Sequence, residues 1–179
     1  MDEVFLRTLH NNDLENTHLW HSGQEIYRSL VGSFGYVSQD AEKGLLEKKA
    51  EYSKDEINLV VCLVSNDQAI GLIPVCEIDW IPRQGHLTGF LIDDPEHQGK
   101  GHGAKSLNLM LKHCIKDLGL NRIWSHILIE NEISLKVFKK CGFHVEGHLK
   151  QQAFKDGYFR DVILVGLCAE DYFSLKEAK

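Results

Sequence analysis

Proline is scarce, 3 in 179 residues, and no apolar run is long enough to cross a bilayer. The longest, Ile57 to Ile78, is broken by Asn58, Asn66, Asp67, Gln68 and Gly71, which excludes a span of about 20 residues. Disulfide and metal patterns are missing too. The five cysteines, Cys62, Cys76, Cys114, Cys141 and Cys168, are odd in number and scattered through apolar runs, with no CxxC pair. They are expected as reduced core residues, and no metal is expected. Basic residues are outnumbered, 20 Lys+Arg against 26 Asp+Glu, for a net charge of -6. That balance disfavours nucleic-acid backbone binding as the main role and leans toward a cationic ligand. The start, Met1-Asp2-Glu3-Val4, has no basic region leading into an apolar leader, so a cytoplasmic location is expected rather than export. What remains is 43% hydrophobic and 26% charged. This fits one soluble domain over residues 1–179, hiding about two-thirds of its unfolded surface without crosslinks.

Period and punctuation suggest the elements. Val4 to Leu9 reads as an edge strand, and Asp13 as an N-cap for a short helix with Leu14 and Trp20. After a loop around Gly32, Gly35 and Ser38, a lysine-rich surface helix carries Ala41, Leu45 and Lys49. Two β-rich runs flank Asn66-Asp67-Gln68 as a hairpin. A loop over Pro82–Gly85 leads to a strand from Leu87 to Ile92. From Gly103 to Leu118 the apolar residues recur at helical spacing and stop at Gly119. A strand, Ile123 to Ile129, then precedes a short helix with Ile133, Val137, Phe138 and Cys141, where periodicity places Ile133 and Val137 in the core. Two β-rich runs around Asp156-Gly157 close the chain as a second hairpin. The expected class is α/β (α+β), a mixed, mostly antiparallel central sheet flanked by helices.

The sharpest local signal is Gln98-Gly99-Lys100-Gly101-His102-Gly103, after a strand and opening an amphipathic helix. Glycines at this spacing let a turn expose consecutive backbone N–H groups, and the helix start adds about half a positive charge. Together these suit a diphosphate. A turn with no ligand is the other reading. The Gly-Lys-Ser/Thr ending of a Walker loop is absent, as is the acidic residue that a dinucleotide fold places about 20 positions on.

A second cluster, Asn131-Glu132-Ile133-Ser134-Leu135-Lys136-Val137-Phe138-Lys139-Lys140-Cys141-Gly142-Phe143, follows the next strand. With Gln-x-x-Gly-x-Gly it resembles the GNAT superfamily of acetyl-CoA-dependent N-acetyltransferases. Arg7, Leu9, Asp13, Trp20, Gly89 to Ile92, Glu146 to Leu149, Asp156-Gly157 and Arg160 to Val162 resemble its branch of ribosomal-protein-alanine and spermidine acetyltransferases. The resemblance covers nearly the whole chain and implies the acyl-CoA N-acyltransferase fold, with acetyl-CoA as cosubstrate. It implies that Leu91, Ile92 and Asp93 pair through their backbone with the pantetheine arm. Gln98, Gly99, Lys100, Gly101, His102, Gly103 and Ala104 would hold the diphosphate. Asn131, Ser134, Lys136, Phe138 and Lys140 would line the other wall, with Asn131 reaching the pantetheine amides.

Acyl transfer from a thioester needs a neutral amine. A lysine-like amine with a pKa of about 10.4 is only about 0.04% neutral at pH 7, so deprotonation costs about 4.6 kcal/mol. A base therefore helps. The family commonly places a carboxylate on the strand before the phosphate loop, where this chain has Leu87. His86, or Glu77 on the preceding strand, could serve through water. Where the family often has a proton-donating tyrosine stands Phe138, which leaves Tyr158, or solvent acting on a thiolate with a pKa of about 8.5, to protonate the departing thiol. The Leu91 backbone N–H is expected to polarise the carbonyl.

The reading favoured is acetylation of a small primary amine of the polyamine or amino-sugar class. A protein N-terminal or lysine acetyltransferase is an alternative. An acetyl-CoA-binding regulatory protein with little catalysis is another, motivated by Leu87 and Phe138 together. Neither nucleic acid nor a membrane is an expected partner, and a homo-oligomer is left open.

Overall fold

The computed structural model describes residues 3–10, 13, 28–32, 38–92 and 95–177. Its strands are β1 (Val4–Thr8), β2 (Ile57–Leu63), β3 (Ala69–Asp79), β4 (Gln84–Leu87), β5 (Leu91–Ile92), β6 (Arg122–Leu128), β7 (His144–Lys155) and β8 (Tyr158–Cys168). The helices are α1 (Gln39–Ala50), α2 (His102–Lys112), α3 (Glu132–Lys140) and α4 (Ala169–Glu177). All eight strands join one sheet in the order β1-β2-β3-β4-β6-β8-β7, with β5 as a third partner of β3. Among the described pairings only β4 with β6 is parallel. The mixed, mostly antiparallel sheet flanked by helices is the class expected.

Strand alternation sorts residues to the two faces. Val61, Ile73, Val75, Leu87, Ile123 and Val165 join the main core with Leu107, Met110 and Leu111 of α2 and Phe138 of α3. Val60, Cys62 and Leu72, their neighbours in sequence, form a smaller cluster with Leu9. The apolar stripe of α2 continues through a π turn, His113–Asp117, that carries Cys114 and Ile115 into the same core. Gly119, at φ 69, ends the element in the left-handed region. At the β7–β8 turn Asp156 and Gly157 both have positive φ, 49 and 83, the condition of a type I′ hairpin. Ser38 caps α1, its hydroxyl accepting from the Ala41 N–H at 3.2 Å.

All five cysteines are free, with Cys62, Cys114 and Cys141 buried. Burial pushes the Cys76 thiol up to about 11 and the Cys114 thiol up to about 12. Both therefore stay protonated and unreactive at neutral pH. No helix among the described residues is long and apolar enough to cross a membrane.

Three expectations need correction or limits. The run from Leu87 to Ile92 is two strands, and β4 starts at Gln84, inside the expected loop, because Gln84 to His86 find a parallel partner in β6. Ile133 is 78% exposed, since the core reaches α3 only from Leu135 onward. The helix of Leu14 and Trp20, and the loop about Gly35, lie outside the described residues; Asp13 itself takes both Arg7 guanidinium nitrogens, at 2.6 and 2.7 Å, and the His10 N–H at 2.8 Å.

Candidate active site

The break in the expected strand makes the site. β4 and β6 stay in parallel register over three pairs, ending at His86 with Trp124, and then part. Gly89 turns the chain at φ 61. When β5 resumes on β3, one extra residue has entered, for Leu87 faces Val75 whereas Leu91 faces Leu72. The Ser125 hydroxyl spans the opening and donates to the Leu87 carbonyl at 2.6 Å.

A cavity of about 340 Å³ fills the gap. Its walls come from Ser29 to Gly32, from His86 to Phe90, from Ser125 to Ile127, and from Asn131, Ser134 and Phe138 of α3. The cavity therefore joins the α3 wall, which the resemblance assigns to the cosubstrate, to a histidine suited to take a proton. A second cavity of about 340 Å³ shares Ser29 and Asn131 with the first and carries Arg28, Glu130, Lys155, Asp156 and Arg160.

Glu77 sits at a β3 bulge, where the register shifts between Cys76 and Asp79, and has φ 53. A non-glycine residue in that region costs about 1 kcal/mol or more, and bulges commonly re-aim a side chain. Here the result is a Glu77 carboxylate 3.7 Å from His86 Nδ1. Burial lowers the His86 pKa, Glu77 pulls it back up, and the net displacement is downward. His126 is likewise lowered by burial, against a raising effect of Glu77. Both displacements favour the neutral ring, the form able to accept a proton.

The glycine turn fits the diphosphate expected of it. Gly99 and Gly101 have φ 69 and 83, and a Cβ at either would meet nothing within 4 Å. Gly101 is the N-cap of α2 and provides no side-chain cap, so the first-turn amides have no acceptor from that residue. The turn is tied to the cavity, since the Cβ position of Gly103 lies 3.7 Å from Phe90 and 4.0 Å from Val137. Gln98 Nε2 also donates to the Ile92 carbonyl at 2.9 Å.

The other expected residues divide clearly. Asn131 caps α3, accepting from the Ser134 N–H at 3.0 Å, and donates to the Ser29 carbonyl at 3.0 Å. Leu91 and Ile92 are half-buried on β5; Asp93 lies outside the described residues. Ala104 packs beside the main core and His102 is buried. Lys100, Lys136 and Lys140 are exposed, and Lys136 pairs with Glu132 at 3.2 Å. Leu87, at the family's carboxylate position, is buried in the core, and Phe138 is 2% exposed and packs on Phe143. The structure does not bring Tyr158 to the cavity; it is exposed at the hairpin tip beside Arg160. Sequence reasoning passed over Ser125, Trp124 and His126. The alternation of buried Ile123, Ser125 and Ile127 in β6 was the available signal that Trp124 and His126 share the opposite face.

A parted pair of parallel strands beside a glycine turn at a helix start is the arrangement of an acetyl-CoA-dependent N-acetyltransferase. A family model described as an acetyltransferase (GNAT) domain matches residues 3–144, and the chain belongs to that family. It is 29% identical over 175 residues to a spermidine N(1)-acetyltransferase of Vibrio cholerae, covering 98% of each chain. The spermidine N(1)-acetyltransferase of Escherichia coli K12 is 25% identical, with 96% of this chain and 89% of that one covered. The crystal structure of the Vibrio cholerae spermidine N-acetyltransferase in complex with CoA and spermine superposes with a TM-score of 0.87 at 29% identity, covering 95% of this chain and 98% of that one. The fold is the GNAT fold, and the activity is transfer of the acetyl group of acetyl-CoA to a primary amine of a small molecule.

Proposed function

We propose that the acceptor is a polyamine and that Glu77 and His86 together take its ammonium proton. The observation that carries the reading is one cavity lined both by His86, 3.7 Å from Glu77, and by Asn131, Ser134 and Phe138 of α3. Its volume suits a slender molecule rather than a folded protein partner. The net charge of -6 and the relatives that acetylate spermidine support a polycation.

Acetyl-CoA, when bound, supplies an activated acetyl carbonyl and a thiolate leaving group. Gln98 to Ala104 hold its diphosphate, and Leu91, Ile92 and Asn131 hold its extended arm, behaving toward it as a neighbouring strand would. The Leu91 N–H is the donor assigned to the acetyl carbonyl. His86 accepts one proton from the ammonium at Nε2, and Glu77, 3.7 Å from its buried Nδ1, stabilises the imidazolium that forms. The freed amine is held in the gap between β4 and β6, where proximity does much of the work. Phe138 offers no proton and Tyr158 does not line the cavity, so solvent protonates the thiolate, whose pKa is about 8.5.

Thiol release on mixing the protein with acetyl-CoA and a panel of spermidine, spermine, putrescine, glucosamine, an L-amino acid and a free-N-terminus peptide tests this. Spermidine or spermine should give the highest kcat/KM. Release confined to the amino acid, the amino sugar or the peptide would remove the polyamine assignment.

A further inference from the structure

Trp124 was not singled out by any motif, and it does not line the cavity. Its indole nevertheless lies flat against the His86 ring, with centroids 3.8 Å apart and planes 5° from parallel. His126 meets both rings edge-on, 5.4 Å from His86 and 5.1 Å from Trp124. The arrangement follows from pairing, because His86 and Trp124 are register partners across the one parallel junction, and His126 is two residues further along β6. An imidazole stacked on an indole and met edge-on by a second imidazole has few ways to turn. Once protonated, its charge lies over the face of an aromatic ring, the geometry of a cation–π contact.

We infer that Trp124 is a positioning residue for His86, fixing the plane of the imidazole toward the cavity and stabilising the imidazolium formed when the acceptor loses its proton. This rests on the reading of His86 as proton acceptor. Among the described residues, the titratable or charged groups facing His86 are Glu77 from β3 and His126 from β6; its β3 register partner is Cys76. The Ser29–Gly32 stretch across the cavity brings no titratable side chain. Half-buried, with its neutral form favoured, His86 needs something that supports its charged form at the moment of transfer. Glu77 does so through its charge and the indole through its face.

The test compares Trp124→Leu, Trp124→Phe and His86→Gln in the full chain, measuring kcat/KM for spermidine from pH 5 to 9 with saturating acetyl-CoA. The neutral base is the active form, so kcat/KM rises with pH through its pKa. Loss of the ring face makes the imidazolium less stable and lowers that pKa, so Trp124→Leu should move the acidic limb to lower pH by about half a unit. It should also cut kcat about ten-fold while leaving the acetyl-CoA Kd within about two-fold, since the glycine turn is untouched. Trp124→Phe keeps a ring and should restore most of both. A misfolded variant would lose acetyl-CoA binding and circular dichroism together; the Phe variant then decides through the position of its limb. If His86→Gln abolishes the limb but both Trp124 variants keep it where it was, the indole has no such role. If His86→Gln keeps the limb and the rate, the reading of His86 itself falls.

Discussion

Glutamate and glutamine placed in turn at Gly101 separate charge from shape at the diphosphate turn. Gly101 has φ 83, and an added Cβ meets nothing within 4 Å, so neither variant suffers a clash. Both force an L side chain into the left-handed region, which costs about 1 to 2 kcal/mol of stability. Their melting temperatures should therefore fall together, and the remaining difference is one negative charge. Two like charges about 6 Å apart repel by about 0.7 kcal/mol in water and about 2.8 kcal/mol at an effective dielectric of about 20. Gly101→Glu should accordingly bind acetyl-CoA about 3- to 100-fold more weakly than Gly101→Gln in titration calorimetry. Much of that ratio should vanish at 1 M salt, where the screening length drops to about 3 Å. Equal affinities in the two variants at low salt would refute the placement of the diphosphate, whatever happens to activity.

Gly71→Ala drives a methyl group into the Leu91 carbonyl oxygen and within 3.1 Å of the Ile92 Cα, so β5 must leave β3. Overpacking of this kind costs about 1 to 3 kcal/mol, and acetyl-CoA affinity should fall at least ten-fold by calorimetry. Glu77→Gln removes a carboxylate that raises the His86 pKa, so the acidic limb of kcat/KM should move to lower pH. Because Glu77 is largely exposed, the shift should be modest, about half a unit. Asp13 is 3% exposed; burial pushes its pKa up, but the Arg7 guanidinium and the His10 N–H hold it below the usual carboxylate range. Its contribution is present above about pH 4 and is lost as pH falls through the depressed value. Asp13→Ala should cost about 2 to 3 kcal/mol in urea unfolding at pH 7, with the gap from wild type closing toward pH 2.

Elements written in one stretch of chain were legible without coordinates. The apolar stripe of α2, the Asp156-Gly157 hairpin and the glycine turn each depend on neighbours in sequence, and each stands where periodicity or turn chemistry placed it. The break at Thr88-Gly89-Phe90 did not show, because Leu87 to Ile92 are nearly all good strand formers. What splits them is a one-residue slip on β3 between Leu87 and Leu91, together with the end of β6 pairing at His86. The trio His86, Trp124 and His126 was hidden for a related reason, since it exists only where two distant strands lie in register. Ile133 misled because helical spacing marks a face without saying how far along the helix the core extends.

The parting of β4 and β6 after three pairs has a mechanical consequence. A sheet with an unzipped seam at its middle is held there by the Ser125 hydroxyl on the Leu87 carbonyl and by whatever molecule lies in the seam. Loading such a protein should stiffen it from the inside. Backbone amides along both flanks of the opening should exchange with deuterium more slowly once it is filled, and those of the β7–β8 hairpin tip should be indifferent.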